Sequence, residues 1–67
     1  MWIKPNRAQV LKAYADAGMR LQTAAKALGM SNRGVEYHLN HATEETGLDP
    51  RNFWELVRLL RKIGYEP

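Results

Sequence analysis

LQTAAKALGMSNRGVEYHLN, residues 21–40, is the stretch that decides the fold of this 67-residue chain. Ala24, Ala25 and Ala27 favour a helix, and Gly29 supplies the positive φ that a sharp helix end needs. Ser31 is a good N-cap for a second helix. The stretch therefore predicts two helices, at about 21–28 and 32–46, joined by a tight turn.

The flanking sequence predicts one more helix on each side. A helix at about 6–17 begins at Asn6, which can form a weak capping box with Gln9, and ends at Gly18. A last helix at about 50–63 has two candidate starts. One is Asp49 with Pro50 at the first helical position, and the other is Asn52 with Glu55 three residues later.

Apolar residues recur at helical spacing in each segment and predict a shared core. In the first helix, the residues expected outside this core are Arg7, Lys12 and Asp16. The expected core residues are Val10, Leu11, Tyr14 and Ala17, then Val35, Leu39, Ala42 and Thr46, then Phe53, Leu56, Val57, Leu60 and Ile63, widened by Trp54 and Leu59.

We predict a small all-α, four-helix domain that spans residues 1–67. Residues 1–5 form an N-terminal arm, in which Trp2 and Ile3 dock on the core, and residues 65–67 form a tail. The chain contains no cysteine, so neither disulfides nor thiolate metal sites are expected. No apolar run approaches the length that spans a membrane, and the expected location is the cytoplasm, in the nucleoid if the protein binds DNA.

Two helices joined by such a turn are typical of the helix-turn-helix, whose second helix enters the major groove of DNA. The first turns of that helix contact base edges, and the helix before it crosses the backbone. A net charge of +3 is compatible with a polyanion but does not demand one. The predicted base contacts are Asn32, Arg33, Glu36, Tyr37 and Asn40, and the predicted phosphate contacts are Arg20, Gln22, Thr23, Lys26 and Ser31.

Residues 24–39, AAKALGMSNRGVEYHL, together with TGLD at 46–49, resemble the C-terminal helix-turn-helix of PucR/CdaR-type bacterial regulators and more distantly Fis. The segment NRGVEYHL is also similar to the recognition helix of LuxR-type domains. The resemblance covers about residues 21–60. It implies sequence-specific binding of duplex DNA, commonly as a dimer, in a small bacterial or phage-type transcriptional regulator. The family pattern implies basic residues where this chain has Glu36 and His38.

Several residues allow more than one interpretation. Gly34 either permits close approach to the DNA backbone or is a tolerated helix defect, and Tyr37 either contacts DNA or packs beside the second helix. His38, His41 and Glu45 share one side of the third helix. Three ligands on one helix are weak evidence for a metal, so we predict no metal site and favour a pH-sensitive DNA or core contact.

The last helix has more apolar residues than one face needs. Phe53, Trp54 and Leu59 either pack in the core with Trp2 and Tyr14 or form a homodimer interface, where aromatic residues are enriched.

An enzyme is not expected, since no paired carboxylates, nucleophile–base arrangement or glycine-rich phosphate loop occurs. We likewise predict no cofactor and no small-molecule substrate, because a chain this size has little room for a shaped pocket. The alternative function is a protein-interaction module on the same fold, binding a repressor, sigma factor or polymerase. The acidic Glu36 on the exposed face of the third helix is the feature that supports it.

Overall fold

The computed structural model describes residues 5–64 and contains four α-helices. They are α1 (Pro5–Asp16), α2 (Leu21–Leu28), α3 (Asn32–Thr46) and α4 (Phe53–Lys62). This confirms the predicted all-α, four-helix architecture. The expectations for Trp2, Ile3 and the tail at 65–67 lie outside the described residues. No helix within the described part of the chain is long and apolar enough to cross a membrane.

Helices α1 and α2 both end in the same hydrogen-bonded cap. Gly18 has a φ of +66°, and the next amide, that of Met19, donates to the carbonyl of Tyr14 at 2.9 Å. Gly29 has a φ of +67°, and Met30 N–H donates to the carbonyl of Ala25 at 2.9 Å. A residue in the left-handed conformation, followed by an amide that donates to the carbonyl five residues earlier, is the Schellman motif. Each helix therefore ends just before the glycine that predicted its end.

The start of α1 differs from the prediction. The helix begins at Pro5, whose fixed φ suits the first helical position. The Asn6 side chain accepts from the adjacent Arg7 N–H at 2.9 Å. Its oxygen is therefore turned to its neighbour, and the predicted capping box between Asn6 and Gln9 is wrong.

Of the two candidate starts for α4, the second is correct. The Asn52 side chain accepts from Glu55 N–H at 3.1 Å, and the helix begins at Phe53, not at residue 50. Asp49 instead opens a turn, in which its carboxylate accepts from Arg51 N–H at 2.9 Å. Glu55 accepts from Asp49 N–H at 2.8 Å, which ties this turn to the first turn of α4.

Helix α1 packs against all three other helices, and α2 also packs against α3. The core confirms most of the predicted stripes, but Phe53 is 56% exposed and Trp54 73% exposed, so their predicted place in the core is wrong. The prediction that Arg7 lies outside the core is also wrong, because Arg7 is buried. The buried apolar residues of the described part of the chain are Val10, Leu11, Tyr14, Ala24, Ala25, Val35, Leu39, Ala42, Pro50, Leu56, Leu59 and Leu60.

Candidate nucleic-acid interface

The turn between α2 and α3 fixes how the first residues of α3 are presented. Gly29 reverses the chain, and Met30 packs against the core while Ala24 and Ala25 are buried behind it. Val35 and Leu39 are buried on the inner side of α3. Because the helix repeats every 3.6 residues, Glu36 and Tyr37 point outward and are exposed.

Ser31 caps the start of α3 as predicted. Its side-chain oxygen accepts from Gly34 N–H at 3.0 Å, with the Ser31 backbone in the extended conformation. This leaves the hydroxyl proton of Ser31 available to donate to an external acceptor. The remaining amides of the first turn point out of the helix end, where the helix dipole favours an anion.

Gly34 lies in a crowded place on the first turn of α3. A Cβ added there would be 3.0 Å from Met30 Cε and 3.4 Å from Ser31 Oγ. The close neighbour is the flexible end of the Met30 side chain. Contact with the protein's own turn thus adds a third interpretation of Gly34 to the two predicted from the sequence.

Every predicted contact residue lies on the surface of this two-helix unit. Arg20 is the extended residue immediately before α2. The five candidate base-contact residues share the outer side of α3 by their spacing. The exposed predicted residues are Arg20, Gln22, Thr23, Lys26, Ser31, Asn32, Arg33, Glu36, Tyr37 and Asn40.

Tyr37 makes aromatic contacts along its own helix. Its ring centroid is 4.2 Å from that of His41, one turn later, and 5.5 Å from that of His38 in an edge arrangement. Even so, 55% of the Tyr37 surface remains exposed. The histidines hold one side of the ring and leave the rest available to a partner.

Arg7 joins α1 to the second half of α3, and the sequence-based prediction missed this role. Its Nε donates to His38 Nδ1 at 3.3 Å, and its NH1 nitrogen is 2.6 Å from a carboxylate oxygen of Glu45. Arg7 precedes Leu11 by four residues and Tyr14 by seven, so the core periodicity of α1 already includes it. The signal that was missed is the spacing of Arg7 with the core residues of α1. His38 and Glu45 on α3 supply the polar partners that a buried arginine needs.

Arg7 contacts two of the three grouped residues, His38 and Glu45, whereas His41 lies 3.5 Å from Glu44. Among the described residues, no cluster of potential ligands could hold a metal ion. Burial lowers the pKa of His38 below 6.5, and the positive charge of Arg7 lowers it further. His41 acts in the same direction and Glu45 opposes it. The neutral imidazole is the form that accepts from Arg7.

The three residues proposed for a dimer interface separate in the structure. Leu59 is fully buried, so its side chain is not available to a partner and its assignment is corrected. Phe53 and Trp54 remain at the surface, where their rings meet edge to face at 5.1 Å. Phe53 and Trp54 are therefore the two residues for which a homodimer interface stays a prediction.

One comparison with known protein families gave a match. The model of the PucR C-terminal helix-turn-helix domain matches residues 8–61, which run from the first turns of α1 almost to the end of α4. Comparisons with curated proteins and with solved structures gave no match.

Proposed function

The chain belongs to the PucR C-terminal helix-turn-helix family, and from this premise we propose that it binds duplex DNA sequence-specifically as a transcriptional regulator of bacterial or phage type. The observation that carries the proposal is the presentation of α3. Its first two turns are exposed at Asn32, Arg33, Glu36 and Tyr37, while Val35 and Leu39 anchor the same turns in the core.

In this proposal α3 enters the major groove and its outer residues read bases. Arg33 has the geometry to donate two hydrogen bonds to guanine, and Asn32 and Asn40 can each bond an adenine edge. Glu36 accepts from the amino group of a cytosine, which is the base contact open to a carboxylate. Tyr37 places its exposed ring edge against a thymine methyl.

Phosphate contacts come from the start of each helix in the motif. Arg20, Gln22 and Thr23 lie at the start of α2, and Lys26 is one turn further along. Ser31 donates its free hydroxyl proton to a phosphate at the start of α3, where the helix dipole adds attraction. These contacts fix the position of α3 on DNA without reading sequence.

The proposed role is non-catalytic, needs no cofactor, and places the protein in the cytoplasm with the nucleoid. A homodimer, with half-sites about one helical turn apart, stays a prediction that sedimentation velocity of the free protein and of its DNA complex can test. The alternative role, a protein-interaction module, requires α3 to bind a protein through the same exposed face.

A salt series separates DNA binding from the alternative. Fluorescence anisotropy of labelled mixed-sequence duplex should show an affinity that falls steeply as salt rises, because bound cations are released from phosphates. Absence of binding at low salt would reject DNA as the partner.

A second measurement tests the assignment of Arg33. We expect Arg33→Ala to weaken binding to a duplex selected from a random library by about tenfold or more, since a bidentate guanine contact contributes about 1–3 kcal/mol. Binding to unselected duplex should change much less. Lys26→Ala is the matched control and should weaken both duplexes alike. Equal loss on both duplexes for Arg33→Ala would make Arg33 a phosphate contact.

A further inference from the structure

An apolar groove lies between α4 and the C-terminal end of α1 with the turn that follows it. Its volume is about 340 Å³. None of its lining residues belongs to α2 or α3, and none is a predicted DNA contact. The lining residues are Ala15, Gly18, Met19, Phe53, Leu56, Val57 and Leu60.

Two exposed aromatic residues accompany this groove. Phe53 forms part of its wall, and Trp54 follows in sequence with 73% of its surface exposed. Contiguous apolar surface of this kind is uncommon on a small monomer and marks sites of interaction. Tryptophan is also among the residues that contribute most to binding energy at protein interfaces.

Exposed positive charge lies next to the lining residues of α4. Arg58 and Arg61 are exposed and directly follow Val57 and Leu60. They also follow Trp54 by four and seven residues, so these three side chains share one side of the helix. The one acidic residue of α4, Glu55, has its carboxylate directed to Asp49 N–H at 2.8 Å. On the α1 side, two exposed charged residues adjoin lining residues: Asp16 follows Ala15, and Arg20 follows Met19. Positive charge is therefore in excess next to the groove.

We infer that this groove binds an acidic amphipathic segment of a protein partner. Apolar side chains of the segment enter the groove beside Phe53, and its carboxylates pair with Arg58 and Arg61. A volume of about 340 Å³ is at the small end of ligand sites, so the groove holds a few side chains of a helix laid across it. This is the helix-in-groove mode of recognition.

Charge decides between this partner and the other possible occupants. A homodimer through Phe53 and Trp54 is the rival occupant of this face. It would bring Arg58, Arg61 and Lys62 of both copies close together, and like charges facing each other oppose association. A nucleic acid would satisfy these cations but give no apolar partner to the groove. An acidic amphipathic segment satisfies both the cations and the apolar walls.

The test uses the full chain and two synthetic helical peptides labelled with fluorescein. One carries leucines on one side and glutamates on the other, and the second has lysine at every glutamate position. Anisotropy should show that the acidic peptide binds and the basic peptide does not. Arg58→Glu combined with Arg61→Glu should weaken acidic-peptide binding by about tenfold or more, because two exposed ion pairs become repulsive. Trp54→Ala should weaken it as well.

The matched control is Lys26→Glu combined with Arg33→Glu, which makes the same charge change at two exposed positions of the proposed DNA face. It should leave acidic-peptide binding unchanged and weaken duplex DNA binding. Circular dichroism checks that each variant keeps its helix content. The peptide result does not depend on DNA binding, so the two proposals can fail separately.

Five results would overturn the inference. Four concern the peptides and the free chain: no binding of the acidic peptide, equal binding of the two peptides, an equal loss of peptide binding in the Lys26/Arg33 control, and self-association of the free chain that Trp54→Ala abolishes. The fifth is a greater loss of DNA affinity in the α4 double variant than in the Lys26/Arg33 control, which would assign this face to nucleic acid instead.

Discussion

Among the described residues, Arg7 is the one buried cation, and two residues of α3 pair with it. Its side chain is 5% exposed, whereas that of Glu45 is 29% exposed. The ion pair thus reaches from the core to the surface, and water screens part of the Glu45 charge. His38 satisfies Nε of Arg7 on the other side. Removing either partner leaves a buried guanidinium with fewer acceptors, which is costly.

We expect Arg7→Ala to lower the free energy of unfolding by about 2–3 kcal/mol. Loss of a charge-assisted hydrogen bond and an ion pair gives this magnitude, below the full cost of breaking a completely buried pair. Urea denaturation followed by circular dichroism measures it. Arg58→Ala removes an exposed arginine and should change stability by less than about 0.5 kcal/mol. Similar small effects for both variants would show that the Arg7 contacts contribute little.

Gly34→Ala tests why a glycine occurs inside α3. Alanine favours the helix by up to about 1 kcal/mol, and the new Cβ meets the mobile end of Met30 at 3.0 Å. We expect Met30 Cε to move and the free energy of unfolding to rise by about 0.5 kcal/mol. A loss of stability would show that Met30 cannot move. A gain in stability with a loss of DNA affinity would favour the close-approach interpretation.

At the level of the elements, local chemistry predicted where helices end, and packing decided what they bury. Gly29 and Ser31 act through bonds within five residues, so the turn and the start of α3 follow from sequence alone. Arg7 has partners 31 and 38 positions later, a relation that helical periodicity does not contain. Phe53 and Trp54 fit a helical stripe, yet the line along which α1 crosses α4 leaves both outside the core.

In the candidate site, too, local spacing could be predicted and contacts between helices could not. Exposure of the outer residues of α3 could be predicted, because their spacing places them opposite Val35 and Leu39. The contact of Tyr37 with His41 joins positions i and i+4 of one helix, which helical spacing allows. The contact of His38 with Arg7 could not be predicted, since it depends on how α1 packs on α3. Which exposed residues contact DNA remains a prediction.

The junction of α1 with α3 makes stability depend on pH. Burial and Arg7 lower the pKa of His38 in the folded chain, so the unfolded chain binds a proton first as the pH falls. Stability should therefore be fully present above pH 6.5 and decrease as the pH falls below it. The charged groups facing His38 are Arg7 from α1, and His41 and Glu45 from its own helix.

Urea denaturation between about pH 5.5 and 7.5, above the range where carboxylates titrate, measures this dependence. Replacing His38 with glutamine should flatten it, because the amide oxygen can still accept from Arg7 and does not titrate. His41→Gln is the control and should keep most of the slope. A slope unchanged by His38→Gln would place the responsible group elsewhere.

Across the whole molecule, positive charge is not concentrated on the outer face of α3. That face has Arg33 as its cation but also Glu36 and Glu44, whereas residues 51–62 carry Arg51, Arg58, Arg61 and Lys62. Glu44 lies 3.5 Å from His41, so its charge is partly offset when that histidine is protonated. The proposed reading helix therefore gives little electrostatic attraction, and specificity has to come from its hydrogen-bonding groups.

Glu36→Gln tests this balance between attraction and readout. Glu36 is exposed on the outer face of α3, so removing its charge should barely change stability. On unselected duplex we expect affinity to rise by about two- to fivefold, because the repulsion from nearby phosphates is lost. On a selected duplex we expect discrimination to fall at the base pair where a carboxylate accepts from cytosine. Glu44→Gln, further along the helix, is the control. It should raise the affinity for unselected duplex only slightly and should leave discrimination between base pairs unchanged. If Glu36→Gln changes neither affinity nor discrimination, Glu36 lies outside the DNA contact and α3 enters the groove less deeply than proposed.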